Sequence, residues 1–305
     1  MILGGSGQLG YELHRCLTTE GRIFIPGRSE VDFSEPGTIV RCIRAIQPTL
    51  VVNAAAYTAV DRAESETELA RAVNEVAAGV LAEASLSVGA ALIHYSTDYV
   101  FDGNKAGPYT EDNVPNPINA YGRTKLGGER AIQAVGGPHL ILRTSWLYGP
   151  RRENFMLRIL ELALTREEIR VVSDQVGAPT WTRTVANALL RIISLAGSIT
   201  ALPEYLARTR GIYHLSAGGS TSRFGFAQAI ADEYSRRAVG VLKVKRWIPV
   251  ATEEFPKPAA RPKNSVLSGR KIAERFGIST DDWRADLRKV VNDLPLPSST
   301  DPDLA

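Results

Sequence analysis

Short apolar runs alternate with amphipathic helical patterns along the first half of the chain. Helical spacing of leucine, isoleucine and alanine predicts helices over 7–17, 36–47, 64–88 and 121–135. Buried strands are predicted between them, at MIL, RIFIP, LVVNA, AALIHYS and HLILRTS. This alternation predicts an α/β fold with a doubly wound parallel sheet of the Rossmann type, covered by helices on both faces.

The second half of the chain has a less regular pattern. Helices are predicted at FMLRILELAL and TWTRTVANALLRIISLA and over 222–238, 271–276 and 283–294, with strands at IRVV and GIYHLS. The proline-rich stretch FPKPAARPKNS predicts an ordered loop. We expect this part to pack as a smaller C-terminal lobe over the edge of the sheet.

Composition and charge argue against several kinds of partner. The chain is 44% apolar and 23% charged, and its net charge of +3 comes from scattered basic residues. We therefore expect neither nucleic acid nor a membrane surface as a partner. Cys16 and Cys42 are isolated, and the four histidines lack the spacing of a metal site. This pattern favours a reduced, cytoplasmic protein with no bound metal.

A glycine-rich turn follows the first predicted strand. Gly4, Gly7 and Gly10 have the spacing G-x-x-G-x-x-G, which allows a tight turn and the close approach of a pyrophosphate to a helix N-terminus. The turn predicts a dinucleotide site, with a plain glycine-rich turn as the alternative. Arg28, after the second predicted strand, suits the 2′-phosphate of NADPH. A solvated loop arginine is the alternative there, which leaves NADH open as the cofactor.

Polar groups suited to proton transfer follow the fourth predicted strand and begin the next helix. Thr97 and Asp98 lie at the carboxyl edge of the sheet, where open α/β folds bind ligands. Tyr121 and Lys125 are four residues apart, so they share one helical face. An ammonium near the phenol would lower its pKa and prepare it to protonate an alkoxide. An ordinary surface pair is the alternative, so the prediction depends on the glycine turn and Thr97 as well.

Four motifs together resemble the extended short-chain dehydrogenase/reductase superfamily. They are the glycine turn, STDYVFDG, YGRTKLGGE and RTSWLYG, in this order. The further blocks VVNAAAYTAVDRAE, DQVGAPTWT, GIYHLSAGGSTSRFGFA and ARPKNSVL are similar to the dTDP-4-dehydrorhamnose reductase family, so the resemblance covers nearly the whole chain. It implies NADPH-dependent reduction of the C4 ketone of dTDP-4-dehydro-6-deoxy-L-mannose to dTDP-L-rhamnose.

The resemblance also implies a role for individual residues. Tyr121 would donate the proton, Lys125 would hold the nicotinamide ribose, and Thr97 would bind the reacting oxygen. The other cofactor-binding residues would be Gly7, Gln8 and Leu9 at the pyrophosphate, Asp32 and Phe33 at the adenosine half, and Ala56, Tyr57, Thr58 and Tyr95 along the rest. The substrate would contact Thr97, Asp98, Trp146, Arg261 and Asn264. Trp146 as a core residue and Arg261 as a loop ion pair are the alternatives.

We expect the chain to form two parts, although its pattern shows no clean boundary between them. Residues 1–150 would form the NADP(H)-binding Rossmann domain, joined by the helix over 182–197. Residues 151–294 would mainly form the substrate-binding lobe, and the tail over 295–305 is expected to be disordered. The chain begins about three residues short of the family's usual first strand, so we expect either a stunted strand there or a truncated start.

One departure from the family pattern bears on assembly. Members that dimerise through a magnesium ion would place acidic ligands at Glu12, at position 183 and at Asp293, but here position 183 is Arg183. A guanidinium cannot ligate a cation. We therefore expect a monomer or a metal-free homodimer.

Two other functions remain open from the sequence. The first is a nucleotide-sugar epimerase or dehydratase, although dehydratases carry a Glu where this chain has Tyr99 after Thr97 and Asp98. The second is a non-catalytic relative of the kind that regulates methionine adenosyltransferase. Consumption of NADPH by the purified chain with the keto-sugar nucleotide would discriminate among them.

Overall fold

The computed structural model describes residues 1–295 as an α/β fold. Its strands, in chain order, are β1 (Ile2–Leu3), β2 (Leu50–Asn53), β3 (Ala91–Thr97), β4 (His139–Thr144), β5 (Leu147–Tyr148), β6 (Glu168–Val172), β7 (Val176–Gly177), β8 (Thr180–Trp181), β9 (Gly211–His214), β10 (Thr221–Ser222) and β11 (Arg246–Val250). Five of them form one parallel sheet in the order β1-β2-β3-β4-β9, and the others form two-stranded pairs. The predicted fold class, a doubly wound parallel sheet, is confirmed.

Helices lie on both faces of the sheet and in the second lobe. They are α1 (Gln8–Leu17), α2 (Pro36–Ile46), α3 (Thr67–Arg71), α4 (Ala77–Ser87), α5 (Ala120–Val135), α6 (Phe155–Thr165), α7 (Thr182–Ala196), α8 (Leu202–Thr209), α9 (Arg223–Arg237), α10 (Arg270–Phe276) and α11 (Trp283–Asp293). Helices α1, α7, α8 and α10 bury apolar side chains against one face of the sheet. Helices α2, α4 and α5 do so against the other face.

The predicted strand RIFIP, over 22–26, is not formed, so that prediction is wrong. The segment runs beside β1 and makes one ladder-like hydrogen bond to it, from Ile2 N to Phe24 O at 2.8 Å. β1 has only two residues, which offers few partners, and Pro26 has no N–H to donate. The segment nevertheless lies on one side of β1 while β2 lies on the other. The winding therefore reverses at β1, which is where such sheets bind ligands.

The predicted helix over 64–88 is also interrupted. A π-helical turn over Ala72–Val76 separates α3 from α4. The turn carries Asn74, whose Oδ1 accepts from Tyr57 N at 2.9 Å and whose Nδ2 donates to Thr124 Oγ1 at 3.1 Å. These tertiary bonds tie the loop after β2 to α5, and π-turns of this kind are frequent at functional sites.

A second apolar core fills the C-terminal lobe. Helices α6, α9 and α11 pack around Phe226 and Trp283, whose ring centroids lie 5.7 Å apart, and around the parallel pair of β6 and β11. Helix α7 packs instead on the sheet, where Val185 and Leu189 share a core with Leu13 of α1. The assignment of cofactor binding to residues 1–150 and of substrate binding mainly to residues 151–294 stays a prediction. Apart from Pro295, the predicted disordered tail lies outside the described residues.

Candidate active site

The glycine turn joins β1 to α1 in a geometry that only glycines allow. Gly4 has a left-handed backbone (φ +78°), and a Cβ there would lie 2.7 Å from Ala55 N. A Cβ on Gly10 would lie 2.1 Å from Gly4 O. Gly7 caps α1 without a side-chain hydrogen bond, so the first amides of the helix are open to an anion. The turn therefore fits a dinucleotide pyrophosphate.

The residues predicted for the adenosine half lie on the loop after 22–26. Arg28 is 84% exposed, and its Nε lies 3.6 Å from Asp32 Oδ2. Asp32 Oδ1 accepts hydrogen bonds from the backbone N–H and the hydroxyl of Ser34, at 2.8 and 2.6 Å. The Phe33 ring is buried in the core below. Arg28 is thus free to turn toward a ligand, while Phe33 mainly holds the loop in place.

The segment after β2 connects the glycine turn to the start of α5. Ala56 and Tyr57 are half-buried and Thr58 is exposed. The Tyr57 hydroxyl donates to Glu66 Oε2 at 2.6 Å, so this side chain is held by its own loop. Glu64 Oε1 accepts from Ala120 N at 2.6 Å and thereby fixes the first turn of α5.

Tyr121 is presented by the first turn of α5. Asn119 caps the helix, with its Oδ1 accepting from Gly122 N at 2.7 Å. A Cβ on Gly122 would lie 2.1 Å from Tyr99 O, so the glycine lets α5 approach the turn after β3 closely. The Tyr99 and Tyr121 rings meet edge to face at 5.9 Å. This approach brings the Tyr121 phenol beside Thr97.

Thr97 is the last residue of β3, Asp98 follows it, and both side chains are buried. Thr97 Oγ1 accepts from Tyr99 N and donates to Asp98 Oδ1, each at 3.1 Å. Burial raises the pKa of Asp98 to about 6, against hydrogen bonds that lower it. Asp98 Oδ2 is buried and lacks a hydrogen-bond partner among residues 1–295.

The two residues of the Tyr–Lys motif do not meet in this structure. Lys125 Nζ is buried and donates to Tyr95 O at 2.7 Å, and within residues 1–295 no hydrogen bond joins it to the Tyr121 phenol. Burial raises the pKa of Tyr121, and the Thr97 hydroxyl opposes that rise. The expected lowering of this pKa by a Lys125 ammonium is therefore not observed here. Tyr95 contributes its carbonyl, while its ring lies in the core.

Trp146 follows β4 and meets an arginine that sequence reasoning missed. Its backbone is left-handed (φ 43°), and a Cβ on Gly177 would lie 2.5 Å from the Trp146 ring, so Gly177 makes room for it. The Arg223 guanidinium lies 3.5 Å from the centroid of that ring, and its charge opposes the rise in the pKa of Asp98. Trp146 therefore borders the site instead of filling the core.

Arg261 and Asn264 differ in how free they are. Arg261 Nη1 donates to Asp61 Oδ1 at 2.6 Å, across 200 residues of sequence, and the side chain keeps 17% of its exposure. Asn264 Nδ2 donates to Lys105 O at 2.7 Å and to Gly107 O at 2.8 Å. Asn264 thus joins its own loop to the loop that contains Lys105 and Gly107. Arg261 lies at the edge of the site and pairs with Asp61, a partner that a ligand could replace.

Three residues near the site were missed although the sequence holds a signal for each. Asn53 and His94 are polar residues inside otherwise apolar strands, and both are 1% exposed. Arg223 is the first residue of α9, where the helix dipole disfavours a cation. A residue that contradicts its local setting in this way is a candidate for function.

The three positions at which the family's magnesium-bridged dimers would place their ligands pair with one another within one chain. Arg183 Nε lies 3.1 Å from Glu12 Oε2, and Arg183 Nη1 lies 3.0 Å from Asp293 Oδ2. Among residues 1–295 no group of three or more His, Cys, Asp or Glu side chains has the arrangement of a metal site. No helix in the same range is long and apolar enough to cross a membrane.

The reversal at β1, the glycine turn and the Tyr–Lys helix define an extended short-chain dehydrogenase/reductase. A family model described as the RmlD substrate binding domain matches residues 1–295. A dTDP-4-dehydrorhamnose reductase of Burkholderia thailandensis is 45% identical over 297 residues, which cover 96% of this chain and 98% of that protein. The Escherichia coli K12 reductase is 39% identical over 298 residues, covering 96% and 97%. The chain belongs to the dTDP-4-dehydrorhamnose reductase family.

Solved structures agree with this assignment. A Bacillus anthracis dTDP-4-dehydrorhamnose reductase in complex with NADP has a TM-score of 0.86 at 35% identity, covering 96% of this chain and 98% of that one. A Thermus thermophilus UDP-glucose 4-epimerase complexed with NAD has a TM-score of 0.75 at 21% identity, covering 95% and 97%. The second likeness concerns the fold alone.

Proposed function

We propose that this protein uses NADPH to reduce the C4 ketone of dTDP-4-dehydro-6-deoxy-L-mannose to dTDP-L-rhamnose. The observation that carries the proposal is the close approach of α5 to the turn after β3, which brings the Tyr121 phenol beside Thr97 at the carboxyl edge of the sheet. The full-length likeness to reductases of that name supports it, as does the NADP complex of the Bacillus anthracis relative.

The residues around β1 and β2 suit the cofactor. The open amides at the start of α1 would bind the pyrophosphate, and Lys125 would hold the nicotinamide ribose. The small residues Ala54 to Ala56 let the cofactor pass close to the backbone. When bound, NADPH supplies the hydride that attacks the C4 carbon and leaves as NADP⁺.

Tyr121 supplies the proton that completes the reduction. Burial raises its pKa, so the phenol carries its proton at neutral pH and can give it to the more basic alkoxide that would form at C4. The proton goes to the C4 oxygen, which becomes the hydroxyl of the product. Thr97 can turn its hydroxyl from Asp98, 3.1 Å away, to donate to the same oxygen.

The side of the site formed by Trp146, Arg223 and Arg261, here called the lobe side, suits a nucleoside diphosphate sugar. Trp146 offers a flat apolar face for the sugar ring. Arg223 and Arg261 place two cations on this side, which complement a diphosphate. Cys16 and Cys42 are free thiols, in keeping with a cytoplasmic location.

Turnover with labelled cofactor tests this function. The purified chain is given the keto-sugar nucleotide and NADPH carrying deuterium at the transferred position, and the product is read by NMR. We expect stoichiometric oxidation of NADPH, with the deuterium at C4 of the product. An epimerase or dehydratase would consume the sugar nucleotide without net oxidation of NADPH. A folded chain that binds NADPH but shows no turnover would overturn the proposal.

A further inference from the structure

Asn53 and His94 form a buried chain of contacts that ends at Lys125. Asn53 ends β2 and pairs in register with His94 in the middle of β3. Asn53 Nδ2 lies 3.0 Å from His94 Nδ1, and His94 Nε2 lies 3.2 Å from Lys125 Nζ. All three side chains are 1% exposed. Water cannot substitute for a missing partner, so the proton positions in the chain must be compatible with one another.

One backbone amide fixes the orientation of the Asn53 side chain. The N–H of Ala55 donates to Asn53 Oδ1 at 3.1 Å, and a backbone amide cannot accept. The atom facing Ala55 is therefore the oxygen, and the NH₂ group of Asn53 faces His94. Nδ1 of His94 must accept that hydrogen bond. The single ring proton of the neutral imidazole is then on Nε2.

The proton on Nε2 decides the state of Lys125. An ammonium has three donors and no acceptor, so it would set donor against donor across 3.2 Å. A neutral amine has a lone pair that accepts from Nε2–H, and it still donates to Tyr95 O at 2.7 Å. We infer that His94, oriented by Asn53, holds Lys125 as a neutral amine in the cofactor-free enzyme. His94 and Asn53 are thus positioning residues that act through Lys125.

The other charged groups near Lys125 leave this state undisturbed. Glu129 lies one turn further along α5, but Arg143 of β4 binds both of its oxygens, at 2.9 and 2.7 Å. The hydroxyl of Ser96 on β3 also donates to Glu129, at 2.5 Å. The carboxylate is therefore already paired. Burial lowers the pKa of Lys125 to about 8, with Glu129 opposing this shift, and burial alone would leave an ammonium at neutral pH. The Nε2–H of His94, which faces Lys125 Nζ at 3.2 Å, therefore has to supply the rest of the shift.

The remaining titratable neighbours are neutral. Tyr121 lies one turn before Lys125, and burial raises its pKa. Burial also lowers the pKa of His94 well below its usual value. The pKa of His139 is itself lowered by burial. None of these groups supplies a charge that would favour an ammonium at Lys125.

Proton uptake at Lys125 is consequently coupled to the backbone of the cofactor segment. To accept from an ammonium, His94 must carry its proton on Nδ1 and face an oxygen of Asn53. The Asn53 amide must then turn over and release the N–H of Ala55, which lies between Ala54 and Ala56 where we place the cofactor. A proton taken from solvent by Lys125 therefore changes the hydrogen bonding at that segment. This inference rests on the proposed function only in giving Lys125 an active-site role.

Nuclear magnetic resonance on the cofactor-free protein tests the inference directly. The chain is labelled with ¹⁵N in histidine and ¹³C at the lysine Cε, and its signals are assigned with His94→Gln and Lys125→Met. We expect His94 to show a protonated Nε2 and a bare Nδ1. Lys125 should already be a neutral amine at pH 7, so its titration should fall below about pH 7 and far below that of the other lysines.

Asn53→Asp is the sharper variant because a carboxylate has no N–H. Its two oxygens can accept from both Ala55 N–H and His94, so the ring proton should move to Nδ1. The titration of Lys125 should then shift upward by at least about one pH unit. His139→Gln is the matched control and should change neither signal.

Two results would overturn the inference. One is an Nδ1–H tautomer in the wild-type protein, and the other is a Lys125 that is still an ammonium at pH 7. Both are read from the wild-type spectra, so they decide the matter even if Asn53→Asp does not fold. A chain that shows the expected spectra but no reductase activity would refute the proposed function and leave this inference standing.

Discussion

The two sides of the candidate site are held by different kinds of contact. On the sheet side, Thr97 and Lys125 are 5% and 1% exposed and are fixed by buried hydrogen bonds. On the lobe side, Trp146 is held by stacking with Arg223, and Arg261 by a partly exposed ion pair with Asp61.

This difference matches what each side has to do. Proton transfer needs donor and acceptor within hydrogen-bond distance, and rigid elements give that precision. Recognition of a sugar nucleotide tolerates side chains that adjust as the ligand replaces their partners. We therefore expect substitutions on the sheet side to affect turnover or folding, and those on the lobe side to affect substrate affinity.

Tyr121→Phe is the largest expected effect on the sheet side. Removal of the acid that we assign to C4 should lower kcat by about 10²–10⁴-fold, the usual contribution of general acid catalysis. Binding of NADPH, measured by fluorescence titration, should stay unchanged. Tyr205→Phe on α8 is the control and should keep full activity. Turnover within a few-fold of wild type for Tyr121→Phe would remove Tyr121 from the mechanism.

Arg143→Met tests whether the sheet side depends on its buried ion pair. Arg143 and Glu129 are 1% and 0% exposed, so the substitution leaves an uncompensated carboxylate. The free energy of unfolding in urea should fall by about 3–5 kcal/mol. A second change, Glu129→Leu, should recover most of that loss because no charge is left unpaired.

The exposed pair of Arg208 and Glu204 gives the control for this prediction. Both side chains are more than half exposed, at 67% and 78%, and Arg208→Met should leave the unfolding midpoint nearly unchanged. Equal losses in the free energy of unfolding for Arg143→Met and Arg208→Met would show that the buried ion pair on the sheet side stabilises the fold no more than an exposed one.

Trp146→Ala tests the lobe side. Loss of the flat face should raise KM for the sugar nucleotide by about 10–100-fold, the range that small apolar contacts give, with kcat and NADPH affinity little changed. Trp247→Ala on β11 is the control, since Trp247 packs against the lobe core and should affect stability alone. A Trp146→Ala protein that melts earlier but keeps its KM would make Trp146 a core residue.

Sequence reasoning succeeded where the determining contacts are local. The glycine turn and the Tyr121 helix each lie within one strand–turn–helix unit, and their backbones follow from glycine placement and from the Asn119 cap. The same reasoning failed where the contact is distant. The strand over 22–26 needed a longer β1, and the break at Asn74 depends on its bonds to Tyr57 and Thr124.

The lobe side shows the same limit more strongly. Asp61 and Arg261 are 200 residues apart in sequence, and no periodicity joins them. Arg223 reaches Trp146 only because α9 packs beside the turn after β4. Asn53 and His94 were visible as polar residues in apolar strands, but their register, and hence their contact, required the paired sheet.

Arg28→Ala is expected to have a smaller effect, which is confined to the choice of cofactor. Arg28 is 84% exposed and only loosely paired with Asp32, so it can contact a 2′-phosphate at little structural cost. We expect a several-fold loss of NADPH affinity and a lesser loss for NADH. Arg22→Ala, which removes a side chain stacked on Phe24, is the control. Equal losses for both cofactors would place Arg28 away from the phosphate.

The smallest expected effect is that of a chelator on assembly. Arg183 pairs with Glu12 and Asp293 inside one chain, so the two carboxylates that would bind a bridging metal ion are already paired with a guanidinium. The guanidinium itself only donates hydrogen bonds and cannot bind a metal ion. Sedimentation should therefore be the same with magnesium and with chelator, whether the chain is a monomer or a metal-free dimer. Arg183→Glu sharpens the test because it places a third carboxylate beside Glu12 and Asp293, a set of oxygen ligands that suits a hard cation. Of the two proteins, only Arg183→Glu should sediment faster when magnesium is added. A wild-type dimer that dissociates in chelator would contradict the prediction, because it would show that a metal ion binds despite Arg183.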